Sequence, residues 1–257
     1  MTRPALECVL LPGWSMEAAC LQPLAQGLGP GARCVDLPGQ GQRAGEVLPD
    51  TLDGLARALE RDLADGTVLI GWSLGAMAAL QIAARGRCRP AAIVLVTPTP
   101  RFLAAPDWAH GVDSGLLDRY DDAVRRDARA LRDEFATLLL VGDARRATAA
   151  RQLRDLRREA PVPDAGTLAA GLAILRHSDL RPACGAVSTP ALVVAGSGDR
   201  VTPQGAARWL ASTLPRATRV ELATAGHALP LSHAAELAAA ISGFLSHLAA
   251  VAGTPEP

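Results

Sequence analysis

Leu69-Ile70-Gly71-Trp72-Ser73-Leu74-Gly75 joins an apolar, strand-like run to an Ala-rich, helix-like one, and the join carries a G-x-S-x-G pattern. A strand that turns directly into a helix strains the residue at the corner. Side chains at positions 71 and 75 would collide with the adjoining strand and helix, so glycine fits there. Ser73 is then displayed at a helix N-terminus, the setting a serine nucleophile requires. The same residues also describe a glycine-rich turn in which Ser73 only caps the helix, so its partners decide between the two readings.

A serine hydroxyl is a weak nucleophile. It needs a base within hydrogen-bond reach, itself oriented by a carboxylate. Downstream, Asp199 follows the strand-like run 191–195 in Gly196-Ser197-Gly198-Asp199, and His227 follows a run near Val220 in Ala225-Gly226-His227. Both stand at carboxyl ends of expected strands, where doubly wound sheets gather their active-site loops. Asp199 also reads as a turn residue before Pro203, and His227 as a buried structural histidine. His110, His177, His233 and His247 lack a comparable setting, and Asp36 precedes Ser73 and reads as a loop-ordering residue. Acyl transfer further needs two N–H donors for a developing oxyanion. Leu74 N–H is the first candidate, and Trp14, in Leu10-Leu11-Pro12-Gly13-Trp14, is the second.

Around this centre, short apolar runs bounded by Gly and Pro alternate with Ala/Leu/Arg-rich stretches, the pattern of parallel strands joined by helices. Strands are expected near 6–11, 32–36, 67–71, 91–96, 190–195 and 218–222, and helices over 17–27, 51–64, 74–85, 204–213 and 233–249. The fold class is α/β, a mostly parallel doubly wound sheet. Its regularity fails between 104 and 178, where 116–141 and 144–159 read as helices. The expected organisation is therefore a core over 1–103 and 179–257 with an inserted helical cap over 104–178.

The chain has 257 residues, 49% of them apolar, enough for one large core without disulfides. Its 26 basic and 26 acidic residues balance, which argues against nucleic-acid binding; every basic residue is arginine. Five scattered cysteines with no CxxC pair point to neither a disulfide framework nor a zinc site, and to a reducing cytoplasm. An apolar run begins within a few residues of Met1, leaving no room for a signal peptide, and no apolar run is expected to reach the length of a membrane span. A soluble cytoplasmic monomer is the expectation, with a disordered tail at 253–257.

With Leu11-Pro12-Gly13-Trp14, Asp36-Leu37-Pro38-Gly39, Gly71-Trp72-Ser73-Leu74-Gly75 and Gly226-His227-Ala228 in view, the chain resembles carboxylesterases of the α/β-hydrolase fold. Gly171-Leu172-Ala173-Ile174-Leu175, Asp179-Leu180-Arg181 and Leu231-Ser232-His233 sharpen the likeness to the biotin-pathway pimeloyl-carrier-protein methyl ester esterases, over nearly the whole chain. Pro12, Ala76 and Gln40-Gly41-Gln42 depart from that family's pattern, which has His before Gly-Trp, a second Gly after the elbow, and an aromatic residue followed by Arg-Ser.

The resemblance implies a serine esterase that removes the methyl ester of a pimeloyl chain carried on acyl carrier protein. It makes Ser73, Asp199 and His227 the triad, Trp14 and Leu74 the oxyanion donors, and Phe135 a wall of the acyl channel. Arg126, Arg129, Arg151 and Arg154 become contacts for the acidic carrier, although a solvated helical face balanced by Asp127, Asp133, Glu134, Asp155 and Glu159 is the alternative. No metal or organic cofactor is implied. Two other functions remain open: a broad carboxylesterase or thioesterase of short acyl groups, and a non-catalytic binding protein on the same fold.

Overall fold

The computed structural model describes residues 7–158 and 161–252. The tail expectation at 253–257 lies outside them, as do the ends of two expected elements, at Leu6 and Glu159. Six strands, β1 (Cys8–Leu11), β2 (Ala32–Cys34), β3 (Val68–Trp72), β4 (Ala92–Val96), β5 (Ala191–Gly196) and β6 (Ala217–Leu222), form one sheet in the order β2-β1-β3-β4-β5-β6. Every pairing is parallel. β3 and β4 are buried along their whole length, as strands covered on both faces must be, which explains their unbroken apolar sequence.

Helices α1 (Gln22–Leu28), α2 (Leu52–Glu60) and α3 (Leu74–Arg85) connect the first four strands. In α2, Leu52, Leu55, Ala56 and Leu59 recur at helical spacing and are buried, and the Thr51 hydroxyl caps the first turn by accepting from Gly54 N–H at 3.2 Å. The expected helix over 17–27 begins instead as a 3₁₀ turn, Ala18–Leu21, with Pro23 in the first turn of α1.

Between β4 and β5 the chain builds α4 (Ser114–Leu138), α5 (Arg146–Arg157), α6 (Ala165–His177) and the short α7 (Arg181–Cys184). The helix expected without interruption over 116–141 is broken at Asp127, whose backbone is extended and whose carboxylate accepts from Ala130 N–H at 2.9 Å, capping the second half. α4 packs on α6, and the buried Arg132 of α4 pairs with the buried Glu17 of the β1 loop. After β5 come α8 (Gln204–Thr213), β6, the short α9 (Leu229–Ser232) and α10 (Ala234–Ala252). Contrary to the sequence expectation, Ala234–Val251 is long and apolar enough by length and composition to cross a membrane. Alanine supplies much of that apolarity. Leu237, Ile241 and Phe244 on its inner side join the core, and α10 packs against α1.

Candidate active site

β1 is flanked by β2 and β3, so the chain leaves β1 in one direction and returns on its other side. That reversal opens a crevice beyond the carboxyl ends of β1 and β3, where doubly wound sheets bind ligands. Gly13 and Trp14 leave β1 there, and Ser73 leaves β3.

Ser73 has φ 56° and ψ −114°, a conformation side-chain-bearing residues rarely adopt. A Cβ on Gly71 would run into the Gly75 carbonyl, and one on Gly75 into the Leu11 carbonyl. The two glycines therefore let strand, helix and β1 loop close around the corner. Ser73 N–H donates to Val96 O at 3.0 Å, fastening the turn to β4. Leu74 N–H, in the first turn of α3, has no helical carbonyl to accept it and is free to serve a ligand.

Asp199 and His227 meet beside this corner. Their Oδ2 and Nδ1 lie 2.8 Å apart and both side chains are buried. Asp199 Oδ1 accepts from Val201 N–H at 2.7 Å and Thr202 N–H at 3.0 Å. The residue thus does what its turn reading required while its second oxygen faces the imidazole. Burial alone would raise the Asp199 pKa. The His227 charge, its hydrogen bond and the two backbone donors outweigh burial and hold the carboxyl below its ordinary value. His227 Nε2 is buried with no hydrogen-bond partner among the described residues, so no such bond reaches Ser73 Oγ in this state. Nucleophile–base bonds are often looser without substrate.

The Trp14 indole donates to Leu168 O of α6 at 3.0 Å and packs edge-on against Phe135 at 4.8 Å and parallel to Tyr120 at 5.9 Å. These rings, with Ser73, Phe102 and Leu172, line an apolar cavity of about 10 Å³, room for one water molecule. Ser73, Leu74, Asp199, His227, Trp14 and Phe135 are thus gathered around one crevice. Arg126, Arg129, Arg151 and Arg154 are not in it. All four are exposed, two on α4 flanking the Asp127 break and two on α5. Asp36 accepts from Ala18 N–H at 2.6 Å and Gln42 N–H at 2.9 Å, which orders its loop.

Two contributors were missed in the sequence. The Thr202 hydroxyl donates to Asp199 Oδ2 at 2.8 Å, and the Trp72 indole donates to His227 O at 2.8 Å. The three-residue step from Asp199 to Thr202 is a signal for a local turn. Nothing in the sequence links Trp72 to His227, 155 positions on.

Residues 8–240 match the Alpha/beta hydrolase family. The chain belongs to the alpha/beta hydrolase family. Among curated relatives in this alpha/beta hydrolase family, the pimeloyl-[acyl-carrier protein] methyl ester esterase of Nitrosomonas europaea is 36% identical, covering 88% of this chain and 90% of the relative. The enzyme of the same name from Xanthomonas campestris pv. campestris is 32% identical, with 95% and 96% covered. Among solved structures, the bromoperoxidase of Bacillus anthracis superposes with a TM-score of 0.81 at 19% identity, covering 94% of this chain and 92% of that one, a likeness of alpha/beta hydrolase fold alone.

Proposed function

We propose that the protein is a serine carboxylesterase that hydrolyses the methyl ester of pimeloyl-acyl-carrier protein in biotin synthesis, acting as a cytoplasmic monomer. The observation that carries the chemistry is the buried Asp199–His227 pair beside a strained Ser73. The relatives named above carry the substrate.

In this reading His227 Nε2 takes the Ser73 proton as Oγ attacks the ester carbonyl. Trp14 and Leu74 N–H hold the oxyanion. Collapse breaks the C–O bond to the methoxy group, which leaves as methanol with the proton from His227. A water then gives its proton to His227 and attacks the acyl-Ser73 carbonyl, and the proton returns to Ser73 Oγ as the acid departs. Ionised Asp199 orients the imidazole and stabilises its charged form. No step calls for a metal or organic cofactor.

Residues 104–178 act as the cap over the acyl cavity, with Phe135 as a wall. The exposed Arg126, Arg129, Arg151 and Arg154 offer guanidinium forks to an acidic carrier. Five scattered cysteines with no CxxC pair suit a reducing compartment. A second reading is a carboxylesterase or thioesterase of short acyl groups without a carrier, since the cavity of about 10 Å³ has to widen less for a short chain than for a long one. Any acyl chain enters only if the helices around it part.

The test compares kcat/KM on pimeloyl-carrier-protein methyl ester and p-nitrophenyl butyrate for wild type, Ser73→Ala, and a variant with Glu at both 126 and 154. The expected result is a carrier-substrate preference, abolished turnover in Ser73→Ala, and a raised KM for the carrier substrate alone in the charge-reversed variant. Turnover of only the small ester would sink the biotin-pathway assignment and leave the second reading. Activity surviving in Ser73→Ala would sink the mechanism.

A further inference from the structure

The turn between α4 and α5 is fastened to the loop that carries His227. Ala228 N–H donates to Leu139 O at 3.2 Å, and Ala144 N–H donates to Thr224 O at 2.9 Å. Between these two bonds lies the buried carboxylate of Asp143. Its Oδ2 accepts from Gly226 N–H at 2.8 Å and from the Ser232 hydroxyl at 2.6 Å, and its Oδ1 accepts from Arg145 N–H at 2.7 Å. The residues on both sides of His227 are therefore held from the inserted helices, while the Trp72 indole of β3 holds the His227 carbonyl.

A buried carboxylate is costly unless its oxygens are filled. Asp143 is filled by three donors from three directions. Having given its one proton to Asp143, the Ser232 hydroxyl accepts from His233 Nδ1 at 2.8 Å, and that nitrogen lies 3.8 Å from Asp143 Oδ2. A carboxylate accepts every one of these bonds at once, whereas an amide turns an NH₂ group towards one of its donors. The arrangement thus selects Asp at 143 and fixes the height of Gly226, one residue from the imidazole. Leu139, which holds Ala228, follows directly on Leu138, a wall of the Ser73 cavity.

We infer that Asp143 is a positioning residue: through Gly226 it sets the place of the His227 imidazole, so that proton transfer depends on the inserted helices being docked. This rests on reading Ser73, His227 and Asp199 as the triad.

The test measures kcat and KM on p-nitrophenyl butyrate for wild type, Ser73→Ala, Asp143→Asn and Glu236→Gln. The last breaks the Arg145–Glu236 pair, 2.6 Å, at the same turn without touching Gly226. Asp143→Asn is expected to lower kcat about 10- to 100-fold with KM held within about twofold, the signature of a misplaced catalytic group rather than a damaged binding site. Glu236→Gln is expected to match wild type. Circular dichroism reports whether Asp143→Asn is folded at the assay temperature. Should it not fold, Ser232→Ala removes one donor to the same carboxylate and is expected to show the same kcat-selective loss to a smaller degree. Wild-type kcat in the folded variant, a rise in KM alone, or an equal loss in Glu236→Gln would each overturn the inference. Failure of the triad reading would show separately, as turnover in Ser73→Ala.

Discussion

Ser73 stands at a positive φ that glycine would tolerate and serine does not favour. Such strain costs about 1–3 kcal/mol and persists only where the surroundings enforce it. Ser73→Gly and Ser73→Ala both remove the hydroxyl, but only the first relieves the backbone. Urea unfolding is expected to find Ser73→Gly more stable than Ser73→Ala by about 1 kcal/mol, with both inactive; equal stabilities would mean that the corner is not strained. Ser73, Asp199 and His227 could be singled out in the sequence because each follows an expected strand, with glycine next to it or two positions away. Thr202, Trp72 and Asp143 could not, since a hydroxyl, an indole and a turn carboxylate acquire their parts only from what the fold brings against them.

α6, which was not among the helices expected from the sequence, depends on a cap. Asp164 accepts from Thr167 N–H at 2.6 Å, and the backbone bonds to Thr167 and Gly166 hold its carboxyl below the ordinary value. Because Leu168 O receives the Trp14 indole, the first turn of α6 also seats one wall of the cavity. Asp164→Ala is expected to lower unfolding free energy by about 1 kcal/mol, read from the urea midpoint; an unchanged midpoint would show that the cap contributes nothing. Strands β1, β3, β4 and β5 were legible because buried parallel strands must be apolar throughout, whereas the edge strands β2 and β6 are half-exposed and carry Arg33, Arg219 and Glu221. The break in α4 was not legible. Arg-Arg-Asp-Ala-Arg around position 127 contains neither Gly nor Pro, and the extended Asp127 reflects a side chain that takes Ala130 N–H for itself. Nor was the 3₁₀ turn at Ala18–Leu21 legible, where Asp36 accepts Ala18 N–H from another loop.

For the whole molecule, the depressed pKa of Asp199 links the site to acid stability. In the unfolded chain this carboxyl titrates near about 3.9. Its folded pKa is lower, so its contribution is complete above that value and is lost as pH falls through the folded pKa. Asp199→Asn carries no such titration. Its stability is expected to fall less steeply than that of wild type between about pH 5 and pH 2, by urea unfolding at each pH; parallel curves would refute the link. The order of apolar runs, the glycines at 71 and 75 and the Ser, Asp and His at strand ends determined by themselves the α/β class, the parallel sheet and the three residues worth testing. These are local consequences of burial, periodicity and backbone sterics. The tertiary structure alone decided that Asp199 faces His227, that the cavity is narrow, and that Asp143 fastens the inserted helices to His227. Each depends on distances between residues 28 to more than 80 positions apart, which chain order does not encode.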